Sequence, residues 1–172
     1  MKIAITGLTA SGKNTLAELV AKELSYKLVE PTFKDLAKEE GISLMEFQKK
    51  AEKDHNIDKK FDDLLKKQVS KGNCVVSTWL GPWIVNPDIT IQLFAPLDIR
   101  AMRVSKRDKM PLDKAKKHVQ ERDNSNRKRY LDVYNIDIFD TSSFDACLSS
   151  HKYTPEKLKE IVLQIIKTNK KI

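Results

Sequence analysis

Ile3-Ala4-Ile5-Thr6-Gly7-Leu8-Thr9-Ala10-Ser11-Gly12-Lys13-Asn14-Thr15 opens the chain and decides its fold. Ile3 to Ile5 is a short apolar run of the kind found in a buried strand. After Thr15 come Leu16, Val20 and Leu24 at helical spacing. A strand therefore turns through a glycine-bounded loop into a helix. In that setting two glycines five positions apart, followed by lysine, form a cradle for phosphates. Loop N–H groups and the positive helix end converge on one place and favour an anion there. Lys13 adds a mobile charge for the terminal phosphates of a nucleoside triphosphate. Asn14 stands where Ser or Thr normally holds magnesium, and Thr15 is the nearest hydroxyl. A plain glycine turn between strand and helix accounts for Gly7 and Gly12 but gives no reason for Lys13.

Composition sets the frame. A chain of 172 residues suits one domain with a full core. With 40% hydrophobic and 33% charged residues it is globular and highly charged. No apolar run approaches the ~20 residues of a membrane span, so no membrane partner is expected. Met1 runs directly into the first strand, which argues against a leader peptide. Cys74 and Cys147 lie far apart in apolar surroundings. They read as reduced core thiols of a cytoplasmic protein. The net charge of +8 points to an anionic partner, for which nucleotides and nucleic acid both qualify.

Further strands are read at Lys27–Val29, Cys74–Thr78, Ile89–Phe94 and Phe144–Leu148, with helical patterns between them. That alternation predicts an α/β fold whose parallel sheet is covered on both faces. From Thr32 to Ser70 the pattern is helical in three pieces. Phe33, Leu36 and Ala37 mark the first, which Gly41 ends. Ser43 and Glu46 form a capping box for the second. Asp58 is read as the cap of the third, with Phe61, Leu64, Leu65 and Val69 on one face. This stretch exceeds a simple crossover and reads either as a structural subdomain or as a clamp over a second substrate. Arg100, Arg103 and Arg107 line one helix face. A second helix from Pro111 carries Arg122, Arg127, Lys128 and Arg129. Two such helices are able to close over a polyphosphate, since guanidinium forks match phosphate oxygens; a solvated basic face is the alternative. Thr154-Pro155 starts a last helix that serves packing. His55, His118 and His151 lack metal-ligand spacing.

Together these motifs resemble the nucleoside monophosphate kinases, above all the archaeal-type cytidylate kinases. The resemblance is carried by Gly7–Thr15, Phe33-Lys34-Asp35-Leu36-Ala37, Gly41-Ile42-Ser43-Leu44-Met45-Glu46-Phe47, Ala51-Glu52-Lys53-Asp54, Ile57-Asp58, Arg100-Ala101-Met102-Arg103-Val104, Arg122-Asp123, and Arg129-Tyr130 through Tyr134-Asn135-Ile136-Asp137. It implies a P-loop three-layer fold with a five-stranded parallel sheet. The acceptor-binding helical insertion would span about 31–70 and a short lid about 105–130. It also implies ATP with Mg2+ as donor and CMP or dCMP as acceptor. By the same likeness Gly7, Ala10, Ser11, Gly12, Lys13, Asn14, Thr15, Arg103 and Arg107 bind ATP, the Ser11 and Gly12 N–H groups holding inner phosphates. Lys13, Arg122 and Arg129 carry the transfer, and Thr15 serves the metal. Lys34, Asp35 and Trp79 face the acceptor.

Departures concentrate on that acceptor side. Lys34 stands for an arginine, and Trp79 stands where a Gly-Arg-Leu motif would grip the acceptor's phosphate. Asp35 and Asp88 are the nearest acidic residues for positioning magnesium. Two further readings stay open: a kinase of the same build with another acceptor, and a non-catalytic nucleotide-binding protein with an RNA or protein partner. The first reading expects nucleotide substrates, no nucleic acid and a monomer.

Overall fold

The structure, a computed structural model, describes residues 1–54, 56–69 and 72–169. Strand β1 (Lys2–Gly7) is central and runs into helix α1 (Lys13–Leu24). Strand β2 (Lys27–Val29) follows. Then come the three helices of the insertion, α2 (Phe33–Glu39), α3 (Leu44–Lys53) and α4 (Asn56–Val69). Strand β3 (Cys74–Val76) and the one-turn helix α5 (Gly81–Ile84) lead to β4 (Ile89–Phe94). Helices α6 (Leu97–Asp108) and α7 (Leu112–Tyr134) precede β5 (Ala146–Ser149) and α8 (Pro155–Thr168). His55 and Ser70, the end of the insertion as read from sequence, lie outside the described residues.

All five strands are parallel, in the order β2-β3-β1-β4-β5. Ile3, Ile5, Val75, Ile89 and Ile91 are buried and pack with Leu16 and Val20 of α1 and Leu158 and Val162 of α8. Opposite them, Leu65 and Val69 of α4 pack with Val29, Cys74, Val76 and Val85. Burial on both faces explains why these strands read as continuous apolar runs rather than alternating ones. Because β1 sends its chain to one side while β3 and β4 flank it, a crevice opens at the carboxyl ends of the strands. The phosphate-loop sequence falls there.

Three readings of the sequence shift. The strand read as Cys74–Thr78 ends at Val76. The last strand begins at Ala146, two residues beyond Phe144, because Asp145 first ties to Thr90 through its carboxylate and backbone N–H. Cys147 is exposed and only Cys74 is a core thiol. An edge strand leaves one face of its residues to solvent.

Candidate active site

The loop between β1 and α1 is held by its glycines. A Cβ on Gly7 would stand 2.4 Å from the Leu93 carbonyl oxygen and 2.5 Å from Ser11 Oγ, so no side chain fits. Gly12 caps α1 at φ 95°, in left-handed backbone that glycine adopts without strain. No side chain caps this helix. Leu16 N–H donates to Gly12 O, and the N–H groups ahead of that bond are left for a ligand. Ser11 N–H does not join them: it closes a turn on Leu8 O at 3.1 Å. The loop N–H groups left open for a ligand are thus fewer than the sequence suggested, and they start at Gly12. Ser11 Oγ is buried without a partner among the described residues.

A polar brace holds the loop from outside. Asp123 of α7 accepts from Thr9 N–H at 3.0 Å and from Arg100 Nη1 at 2.5 Å. Arg100 Nη1 also donates to Thr9 O at 3.1 Å, and Nε to Ala95 O at 3.1 Å. Both side chains are buried. Arg100 is therefore a structural member of the arginine row and does not meet a ligand. Arg103 donates to Ala10 O at 3.0 Å and to Ser150 O at 2.6 Å, so it too braces the loop, with its guanidinium at the cleft edge. Arg107 pairs with its neighbour Asp108 in the cleft mouth. Arg127 turns away altogether, to Asp137 and the ring of Phe139.

One cleft of about 840 Å³ runs from the loop to the insertion. Ala10, Ser11, Gly12, Lys13, Asn14, Thr15, Lys34, Trp79, Arg103, Arg107, Arg122 and Arg129 all line it. Gly7 lies behind the loop. Asp35 is not in the cleft wall: its carboxylate accepts from Thr32 N–H and Oγ1, completing the capping box of α2. Asp88 sits at the far end of the sheet, accepting from Lys2 N–H at 2.7 Å, and offers nothing to a metal in the cleft.

Lys13 reaches across to Trp79, its Nζ 5.3 Å from the ring centroid. Burial lowers the Lys13 pKa to about 8, and the neighbouring Arg122 pushes the same way. Asn14 bridges Glu30 at 3.2 Å and Ser77 at 3.4 Å, which ties the start of α1 to β2 and β3. Arg122 Nε is buried with no partner among the described residues, and burial depresses the guanidinium's affinity for its proton.

At the insertion end, Arg129 is 3% exposed and lies between the rings of Phe33 and Tyr130, 4.8 and 4.9 Å from their centroids. Its Nε lies 3.1 Å from the Asp58 carboxylate, and Nη2 donates to Asn126 Oδ1 at 3.0 Å. Nη1 has no partner. Asp58 is thus the counter-ion of Arg129 inside α4 and not the cap of that helix. One turn on, Asp62 accepts from the Tyr134 hydroxyl. Sequence reading missed Asp62, Gln48 and Asn126. The available signal was spacing: Asp58, Phe61, Asp62 and Leu65 recur at three and four residues and share one face.

Burial raises the Asp62 carboxyl to about 6, with the Asp58 charge adding to the shift and the Tyr134 bond opposing it. The native pKa exceeds the unfolded one, so the native state binds more protons and stability falls as pH rises from about 4 to 6. Asp62→Asn removes that penalty. The variant is expected to melt several degrees above the parent at pH 8, a gain of about 1–3 kcal/mol that vanishes near pH 4. A melting difference that does not change between those pH values would contradict it.

The sequence profile of the cytidylate kinase-like family matches residues 2–152. The chain belongs to the cytidylate kinase-like family. A cytidylate kinase of Sulfurisphaera tokodaii is 38% identical over 167 residues, covering 94% of this chain and 93% of the relative. One from Pyrobaculum islandicum is 45% identical over 152 residues, covering 86% and 83%. Among solved structures, shikimate kinase from Acinetobacter baumannii in complex with shikimate superposes with a TM-score of 0.63 at 15% identity, over 98% of this chain and 94% of that one. Such a likeness speaks for the P-loop kinase fold alone. Family membership agrees with the motifs of the insertion, and the sheet order agrees with the fold they implied. Among the described residues no helix is long and apolar enough to cross a membrane.

Proposed function

We propose that this protein transfers the γ-phosphoryl group of ATP to a nucleoside monophosphate, CMP or dCMP before others, within a single domain in which residues 31–70 hold the acceptor and 105–130 form the lid. The observation that carries the reading is one continuous cleft that joins the glycine loop and Lys13 to two guanidiniums, half-buried Arg122 and buried Arg129, each with a buried nitrogen that has no partner among the described residues. Phosphoryl transfer asks for alignment and neutralisation of spreading charge, and asks little covalent work of the protein.

In this mechanism Lys13 leaves the Trp79 ring and meets the β- and γ-phosphates. The α1 N–H groups from Gly12 onward take the inner phosphates. Arg103 and Arg107 approach the triphosphate from α6. Arg122 Nε and Arg129 Nη1, without partners among the described residues, take up charge on the transferred group. Phe33 and Tyr130 keep the Arg129 plane fixed. Closure of insertion and lid excludes water and suppresses ATP hydrolysis.

Magnesium fits the residues present. Thr15 offers an exposed hydroxyl in the cleft wall, and Ser11 Oγ and Thr78 Oγ1 are buried in that wall without partners among the described residues. The ion draws most of its ligands from phosphates and water, so an acidic cluster is not required. When bound, it neutralises charge on the β- and γ-oxygens. The cytoplasm, where ATP and nucleoside monophosphates meet, is the compartment in which we place this reaction.

Trp79 favours a second reading, the same donor chemistry with a different acceptor. Its indole cannot pair with a phosphate, and losing such a charged contact costs on the order of 1.5–3 kcal/mol. ATP-dependent transfer measured over all ribo- and deoxynucleoside monophosphates separates the two. CMP and dCMP are expected as preferred acceptors. Preference for another nucleotide moves the acceptor assignment, and silence across the panel with ATP still bound removes catalysis.

A further inference from the structure

We infer that Asp62 reads the base of the acceptor and selects cytosine over uracil. The inference rests on the nucleotide-acceptor reading above and names the residue that gives it base preference.

Asp62 lines the cleft with Phe33, Phe61 and Gln48, on the insertion side. Its residue is 4% exposed, yet among the described residues no cation stands within ion-pair distance of it. Asp58, one turn earlier on the same helix face, is equally buried and is matched by Arg129. A carboxyl kept in a dry wall without a cation is costly, and such groups persist where a ligand needs them. The Tyr134 hydroxyl donates to Oδ2 and holds the rotamer. No protein donor among the described residues reaches Oδ1. Independently, Arg129 Nη1 is buried in the same cleft wall with no partner among the described residues, which marks this compartment as a place for an anionic ligand. The Phe33 and Phe61 rings, 5.2 Å apart and edge to face, supply the apolar surface that a flat base requires.

The selectivity follows from hydrogen-bond polarity. Around pH 7 the carboxyl is mostly ionised, and an ionised carboxyl only accepts. Cytosine presents a 4-amino donor, which Oδ1 takes. Uracil presents O4 at the same position, and two acceptors then face each other with no proton between them. A site built to hold a donor rejects an analogue lacking it strongly. An amide in the same place has one donor and one acceptor and satisfies either base by a half-turn about χ2.

Steady-state transfer to CMP and to UMP, at saturating ATP, tests this in the parent and in Asp62→Asn, with melting curves for both. The parent is expected to prefer CMP by roughly 100-fold or more in kcat/KM. In the variant the preference falls below about tenfold, chiefly by gain of UMP transfer. A residue with a merely structural part would lower both substrates together and leave the ratio unchanged, which would overturn the inference. Should Asp62→Asn fail to fold, pyrimidin-2-one riboside 5′-monophosphate, which lacks the 4-amino group, decides with the parent protein. It is expected to be as poor an acceptor as UMP, and parity with CMP overturns the inference. If the parent transfers to no nucleoside monophosphate, the proposed function falls, and calorimetric binding of CMP against UMP judges Asp62 separately. A binding preference for CMP that Asp62→Asn abolishes upholds it; equal binding by the parent refutes it.

Discussion

Lys13→Ala is expected to lower kcat/KM for transfer by at least ~10³ while leaving the fold intact. In the proposed function the Lys13 ammonium is the mobile charge of the phosphate loop, and no other lysine stands in the loop itself. Its role becomes strongest in the transition state, where charge spreads over the transferred group, so most of the loss falls on kcat. Stability moves little, for two opposed reasons. Removing the side chain forfeits the cation–π contact with Trp79, worth about 0.5–2 kcal/mol. It also relieves a burial cost, visible in the Lys13 pKa brought down to about 8. Melting temperature within a few degrees of the parent, together with collapsed turnover, is the anticipated pair of results. Retained activity would remove the phosphate-binding assignment, and unfolding would make Lys13 a structural residue.

The second large effect concerns the Arg100–Asp123 brace. Arg100→Met leaves the Asp123 carboxylate buried without its cation, and breaking such a pair costs roughly 3–5 kcal/mol. For a protein of this size that is about a 10 °C loss in melting temperature. Arg100→Met with Asp123→Leu removes both charges and should recover most of that loss, because two apolar side chains replace two desolvated ions. ATP affinity should not recover. Thr9 N–H donates to Asp123 and Thr9 O accepts from Arg100, so the double variant frees both backbone groups of one loop residue. Calorimetric titration with ATP alongside thermal melting separates the two effects. A double variant with parental ATP affinity would show that the brace serves folding alone.

The brace also bears on how the arginine arm works. Arg122 is the neighbour of Asp123, so its position is set by the same turn of α7 that grips Thr9. Farther along, α7 meets the insertion through Arg129 with Asp58, Tyr134 with Asp62, and Ser125 with Glu52. One helix thus touches both ends of the cleft. Nothing in the spacing of Arg122 and Arg129 announces this, since seven residues apart on a helix means only a shared face.

Much of the architecture was legible beforehand because its causes are local. Apolar runs bounded by turns mark the strands, and the Ser43–Glu46 box marks the start of α3 as read. Gly7 and Gly12 announce a loop that only glycine fits. Other residues misled for an equally physical reason. Asp35 reads as an acid available to substrate, but its own N-cap partner Thr32 occupies it. Asp58 reads as a helix cap, and a guanidinium 71 positions away claims it instead. Cys147 reads as buried because its strand is apolar, while the strand's place at the sheet edge exposes it.

From sequence alone came the glycine loop and the parallel α/β layering, which depend on periodicity, glycine geometry and short-range caps, and the kinase family, which came from the resemblance of its motifs. Only the tertiary structure decided which of the many charged side chains face the cleft, which are tied into the loop brace, and that Asp62 stands buried in the wall with no cation paired to it among the described residues. Those outcomes depend on desolvation and on partners distant along the chain, and neither is written in the spacing of neighbours.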